Sequence, residues 1–133
     1  QRQMCIRDRD YEEVYDYRNI EVTIDEQGVF KVTMNESLAV ALLTNLLKNA
    51  FVHNIDGGHI RITVTKNGIT FRNSGVEHPL NKEHIFERFY QGSKKEGSTG
   101  LGLAIADSIC RLQHLNIKYY FEQNEHCFEI SQS

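Results

Sequence analysis

The sequence predicts an α+β domain, a two-layer α/β sandwich in which helices cover one face of a mixed, mostly antiparallel sheet. Three observations lead there. Short stretches alternate apolar and polar residues with the period of two that a half-buried strand requires. Two longer stretches, 35–53 and 101–114, repeat apolar residues at helical spacing instead. The order β-β-α-β-β-(short α)-loop-α-β-β then suits helices gathered on one side of an antiparallel sheet, and it does not suit the alternating units of a Rossmann fold.

Each element has its own signal. Residues 1–19 are polar and aperiodic, with Tyr11, Val14, Tyr15 and Tyr17 in an acidic stretch, and read as a linker or undefined segment preceding a domain at 20–133. Ile20, Val22 and Ile24 alternate with Glu21 and Thr23 as a half-buried strand. Asp25–Gly28 reads as a turn, with Phe30, Val32 and Met34 on the apolar face of a returning strand. Asn35 is a plausible N-cap for a helix to about His53. Leu38, Leu42, Leu43, Leu46, Leu47, Ala50 and Phe51 cover more than half of that helix, which places it against a sheet.

After a polar loop at Asn54–Gly58, Ile60, Ile62 and Val64 alternate, and Asn67-Gly68 is the strongest hairpin signal in the chain. Ile69 and Phe71 continue the return strand into Arg72-Asn73-Ser74-Gly75. Residues 82–89 form a short helix or 3₁₀ turn with Ile85, Phe86 and Phe89 inward. Two short strands, Ile117–Phe121 and Cys127–Ile130, close the chain.

Composition narrows the function classes. The 133 residues suit one domain; 40% hydrophobic and 25% charged residues are ordinary for a globular protein. Fifteen Lys and Arg against 18 Asp and Glu advertise no nucleic-acid partner. Three cysteines, at 5, 110 and 127, have no metal spacing and suggest reduced thiols and a cytoplasmic setting. No apolar run reaches transmembrane length, so no direct membrane contact is expected from these residues.

Two features carry chemistry. Asn45, Asn49 and His53 are spaced by four and share one face of the Leu-rich helix. Asparagine is a mediocre helix former and costly to bury alone, so the stripe needs either solvent or a ligand. An amide oxygen can join the oxygen shell of a hard cation without adding charge. The second feature is Gly97–Cys110, where Gly97, Gly100 and Gly102 run directly into an amphipathic helix marked by Leu101, Ile105, Ile109 and Leu112. A glycine-rich loop opening a helix offers backbone N–H groups and the positive end of a dipole to a phosphate. It is neither a P-loop nor a dinucleotide fingerprint, since GxxxxGK[ST] is absent and no early strand feeds it.

Four ordered motifs resemble those of the ATP-binding catalytic domain of two-component sensor histidine kinases. That domain has the Bergerat fold shared with type II topoisomerase ATPase subunits, heat-shock chaperones of ninety kilodaltons and mismatch-repair ATPases. LLTNLLKNAFVHN at 42–54 resembles the N-box, and FRNSGV at 71–76 the first glycine box. IFERFYQG at 85–92 resembles the phenylalanine box, and GSTGLGLAI at 97–105 the second glycine box.

The resemblance implies ATP and Mg²⁺ as cofactors. Asn49 would ligate the Mg²⁺ that bridges the phosphates. Asn45 stands where the superfamily's ATPases carry a water-activating glutamate, and a neutral amide cannot act as a general base. His53 would lie beside the nucleotide. Asn73 would replace the aspartate that reads the adenine amino group, accepting without a charge. Gly75 matches the first glycine of its box. Arg88, Lys94 and Lys95 would meet phosphate or the acceptor domain. Thr99, Gly100, Leu101, Gly102 and Leu103 would form the lid hinge over the phosphates.

Glu77 in place of a second glycine, Val52 in place of a lysine, and Asn73 itself depart from the family pattern. None of the six histidines has the acceptor context of a dimerisation domain. The implied reaction is therefore transfer of the γ-phosphoryl group to a histidine on a separate dimerisation domain, then relay to a response-regulator receiver domain. The implied location is cytoplasmic, within a longer protein anchored in the inner membrane. The alternatives are an ATPase or serine kinase of the same superfamily, and a non-catalytic nucleotide-sensing module.

Overall fold

A computed structural model describes residues 19–88 and 101–132. Five strands, β1 (Glu21–Glu26), β2 (His59–Thr65), β3 (Gly68–Asn73), β4 (Leu115–Glu122) and β5 (Glu125–Gln132), form one sheet in the order β1-β2-β3-β5-β4. Only β1 and β2 run parallel, Val22 lying opposite Ile60; the other three pairings are antiparallel. Helices α1 (Glu36–Val52) and α2 (Gly102–Leu112) pack against each other, and their apolar sides join the sheet in one core.

That core follows from the alternation. Ile60 and Ile62 of β2, Ile69 and Phe71 of β3 and Phe128 and Ile130 of β5 turn inward to meet Leu42, Leu46 and Ala50 of α1 and Ala106, Ile109 and Cys110 of α2. Full burial of each large aliphatic side chain contributes about 1.5–3 kcal/mol. Helix α1 starts where its cap places it: the Asn35 side-chain oxygen accepts the Ser37 N–H at 2.8 Å, and Glu36 in the first turn complements the dipole.

The expected returning strand at 30–34 does not form. Phe30 and Met34 are fully buried and their alternation is real, but only Met34 makes a bridge. Residues 27–35 serve instead as the crossing from β1 into α1, anchored by the buried Phe30 and Met34. The Gln27 N–H to Val64 carbonyl bond, 2.8 Å long, starts that crossing.

The β2–β3 hairpin forms, but its two-residue loop is Lys66-Asn67, because Gly68 already pairs with Thr65 as the first residue of β3. A side chain at Gly68 would collide with the Ile130 carbonyl of β5. The β4–β5 loop uses positive φ at Gln123 (52°) and Asn124 (61°), the geometry of a tight hairpin turn. Residues 82–88 make successive turns, with His84 N–H to Asn81 and Glu87 N–H to His84 carbonyl bonds, while Ile85 is buried and Phe86 packs on the core. The Phe89 part of that expectation lies outside the described residues.

Candidate functional site

Helix α1 is the spine of the site. Asn45, Asn49 and His53 are all half-buried, on the stripe their spacing predicts. Asn45 donates from Nδ2 to the Ala41 carbonyl one turn back, at 2.8 Å, which leaves its Oδ1 unspent by that bond. His53 closes the helix, and its backbone N–H reaches the Asn49 and Phe51 carbonyls.

Each end of the stripe is met by a glycine from another element. A Cβ on Gly102 would lie 3.2 Å from Asn45 Oδ1, so the start of α2 abuts the middle of α1. A Cβ on Gly75 would lie 2.8 Å from the His53 carbonyl oxygen and 3.1 Å from a ring carbon of His126. Only the hydrogen of glycine fits the turn after β3 against the end of α1. The two glycines therefore bracket a polar stripe two helical turns long, roughly 12 Å at 1.5 Å per residue.

The His53 end is held by a buried polar network. Asn54, fully buried, donates to the Ala50 carbonyl at 3.1 Å and the His59 carbonyl at 3.0 Å. Its Oδ1 accepts the Ile55 N–H at 2.8 Å and the Ser74 hydroxyl at 2.5 Å. Ser74 in turn accepts the His59 N–H at 2.9 Å. Beside it, Asn73 is 2% exposed and donates from Nδ2 to the Ser74 carbonyl at 2.8 Å. Its Oδ1 is a buried acceptor with no hydrogen-bond partner among the described residues. The Ser74 carbonyl fixes the amide's orientation, since a flip would set two oxygens against each other.

The Gly102 end is more open. Leu101 supplies no side-chain cap to α2, and its carbonyl accepts the Ile105 N–H at 2.9 Å. Leu103 packs on the core and so anchors the helix start. A cavity of about 480 Å³ beside α1 is lined by Glu36, Ser37, Val40, Ala41, Thr44 and Asn45. Arg88 is exposed. Lys94, Lys95, Thr99 and Gly100 lie outside the described residues. Glu77 is exposed and Val52 half-buried, so neither departure from the family pattern disturbs the core. Among the described residues no cluster of three or more His, Cys, Asp or Glu could hold a metal.

The structure thus brings Asn45, Asn49, His53, Gly75, Leu101, Gly102 and Leu103 together along α1 and sets Asn73 beside its end. Sequence reasoning gave no role to Asn54, Ser74, His126 or Tyr119, whose hydroxyl lies 2.7 Å from His126 Nδ1. Asn54 carried a faint signal, directly following the polar stripe. His126 carried none, because only strand register sets it opposite Asn73.

Electrostatics on the sheet are local. Burial alone would raise the Glu125 carboxyl, but hydrogen bonds and charge from Arg61 and His59 outweigh it and hold Glu125 below the usual carboxylate range. Burial pushes the Cys110 thiol to about 12 and the Cys127 thiol to about 11; both cysteines are free and buried.

Comparison with known proteins places this geometry. Residues 34–131 match the family model for histidine kinase-, DNA gyrase B- and HSP90-like ATPases. Sensor histidine kinase RppB of Synechocystis is 44% identical over 84 residues, covering 56% of this chain and 18% of that protein. The chain spans about a fifth of the length of the curated relatives it matches. The catalytic domain of histidine kinase ThkA superposes with a TM-score of 0.79 at 26% identity, covering 90% of this chain and 82% of that one. ThkA in complex with the response regulator protein TrrA also matches, with a TM-score of 0.70 at 26% identity over 92% of this chain and 37% of that one.

Proposed function

Because the chain belongs to the histidine kinase-, DNA gyrase B- and HSP90-like ATPase family and corresponds to the ATP-binding catalytic domain of sensor histidine kinases, we propose that it binds ATP with Mg²⁺ along α1. It then positions the γ-phosphoryl group for transfer to a histidine on a separate dimerisation domain. The observation that carries the reading is Asn73 Oδ1, a buried acceptor with no partner among the described residues. A buried acceptor left unpaired costs about 1–3 kcal/mol. The amino group of adenine would satisfy it, whereas the oxygen of a 6-oxo base would set a second acceptor against it.

The rest of the stripe suits the triphosphate. Asn49, and Asn45 through its spare Oδ1, would hold Mg²⁺ by neutral amide oxygens. Bound there, the cation would neutralise charge on the phosphates. The start of α2 abuts Asn45, and a phosphate there would be favoured by the helix dipole. Lys94, Lys95, Thr99 and Gly100 would contribute from the lid, and Arg88 from its base.

Catalysis by this chain is positioning and charge neutralisation, because the nucleophile comes from another domain. Asn45 cannot take a proton from water, which favours phosphoryl transfer over hydrolysis. The phosphate would pass on to a response-regulator receiver domain, on the cytoplasmic side of a longer protein. Among the described residues no helix is long and apolar enough to cross a membrane.

The test is a titration with a fluorescent ATP analogue with and without Mg²⁺, followed by incubation with ATP and a dimerisation domain. Micromolar binding strengthened by Mg²⁺ and phosphate appearing on histidine are expected. Asn49→Ala should remove most of the Mg²⁺ effect while leaving the melting temperature nearly unchanged. No binding would overturn the ATP reading, and binding without transfer would identify a nucleotide-sensing module instead.

A further inference from the structure

The two polar atoms of the Asn73 side chain stand in opposite environments. Nδ2 donates to the Ser74 carbonyl oxygen at 2.8 Å, and a carbonyl oxygen can only accept. Oδ1 is buried and meets no donor among the described residues. The residue is 2% exposed, at the end of β3 between Ile60 of β2 and His126 of β5.

A carboxylate of the same shape would fare badly in that setting. One oxygen would replace Nδ2 and face the Ser74 carbonyl at hydrogen-bond distance with no proton between them. The other would take the Oδ1 position, which no donor among the described residues reaches. A buried charge without donors is among the most costly groups in a protein, and it escapes by taking up a proton. A protonated carboxyl, by contrast, copies the amide: its O–H donates to Ser74 and its other oxygen keeps the Oδ1 position.

We propose that the base subsite of this chain is built for a neutral donor–acceptor pair at position 73, with the Ser74 carbonyl as the group that demands the donor. The proposal rests on the adenine-nucleotide reading of Asn73 and deepens it. Asn73 is then a specificity-determining residue in its own right, not a weakened form of the aspartate in the family pattern. Its donor aims its acceptor, so the base meets an uncharged oxygen of fixed direction.

The groups around Asn73 do not stand in for the missing donor. His126 faces it across the ladder, with Nε2 2.7 Å from the Val76 carbonyl oxygen and Nδ1 2.7 Å from the Tyr119 hydroxyl. Burial lowers the His126 pKa from its usual value, the Val76 carbonyl opposes that, and His78 adds to the lowering. Arg72 precedes Asn73 but alternates to the other face of the sheet, where it reaches Thr63 at 3.4 Å. The end of α1 brings His53, whose carbonyl lies against Gly75. Glu77 and His78 in the following loop are exposed.

The experiment measures ADP affinity of the whole chain at pH 7.5 and pH 5, for wild type, Asn73→Asp and Asn73→Ala. Ratios to wild type cancel protonation of ADP itself. Asn73→Asp should bind about tenfold more weakly than wild type at pH 7.5 and within about threefold of it at pH 5. Asn73→Ala, which cannot regain a donor–acceptor pair, should show no such recovery. In free Asn73→Asp protein, carbon NMR should place the pKa of the new carboxyl well above the usual aspartate value of about 3.9.

Asn73→Asp binding ADP as tightly as wild type at pH 7.5, or a new carboxyl titrating in the ordinary range, would overturn the proposal and leave the nucleotide reading intact. Absence of ADP binding by wild type at both pH values would remove both. Should Asn73→Asp be unfolded at pH 7.5, urea unfolding relative to wild type decides. A carboxyl whose pKa is raised by folding loses stability as pH rises through the folded value, and regains it on acidification. Refolding by pH 5 is therefore expected, and a chain unfolded there as well would overturn the proposal.

Discussion

The two ends of the α1 stripe are built on opposite principles. At the His53 end, Asn54, Ser74, Asn73, Tyr119 and His126 form buried networks in which Asn73 Oδ1 has no hydrogen-bond partner among the described residues. At the Asn45 end, half-buried amides stand beside an open cavity and the uncapped start of α2. The first arrangement makes recognition part of the fold, so that one vacant acceptor is presented in a fixed orientation. The second leaves polar atoms in reach of solvent, where a charged ligand can enter and leave without disturbing the core. Changes at the base end should therefore damage stability and binding together, and changes at the phosphate end binding alone.

Asn54→Ala should produce the largest effect. It removes the side-chain partner of the Ile55 N–H and the Ala50 carbonyl and one of the bonds of the Ser74 hydroxyl and the His59 carbonyl, with an expected loss of about 3 kcal/mol in urea unfolding. A loss under about 1 kcal/mol would mean that water restores the network, and the contrast between the ends would collapse. Gly75→Ala comes next, because its methyl would sit 2.8 Å from the backbone oxygen of His53. About 2 kcal/mol of destabilisation is expected, with weakened ATP-analogue binding in the same variant. Intact binding in a destabilised Gly75→Ala protein would separate the two properties that this end is argued to join.

Acid provides a milder probe. Glu125 titrates below its usual value, so its contribution is present above the unfolded carboxylate pKa and is lost as pH falls through the folded one. His126 also titrates low, and as pH drops below about 6.5 the unfolded chain takes up its proton first. Both signs agree: acid favours the unfolded state. Hydrogen exchange at β5 amides should therefore accelerate between pH 6.5 and pH 4 more than exchange in α2, measured relative to intrinsic rates.

Gly102→Ala should change stability least. Its methyl would meet Asn45 Oδ1 at 3.2 Å, a contact that a side-chain shift relieves. The gain in helix propensity over glycine, about 0.5–1 kcal/mol, works in the opposite direction. The net change in unfolding free energy should stay within about 0.5 kcal/mol, while the Mg²⁺-dependent part of ATP-analogue binding falls several-fold. A strongly destabilised variant would show that this end, too, is part of the core.

Legibility in the sequence followed the range of the interactions. Helix α1 and its cap were readable because Asn35 acts on Ser37 and the leucines act at three- and four-residue spacing. The polar stripe was readable for the same reason. The strand at 30–34 was misread because alternation reports burial, and Phe30 and Met34 are buried without a ladder. Asn67-Gly68 was right about the hairpin and one residue off in the loop, because Gly68 answers to the Ile130 carbonyl across the sheet.

By itself, the sequence determined the element types, the faces of the helices, and the four ordered motifs from which an ATP-binding domain could be inferred. Those depend on periodicity and on contacts close along the chain. Only the tertiary structure decided that β1 runs parallel to β2, that Gly75 and Gly102 bracket one stripe of α1, and that His126 stands opposite Asn73. Each of these depends on register between distant segments. Shifting a strand by one residue would turn His126 to the other face, and nothing local to Asn73 or His126 encodes which register the packed core selects.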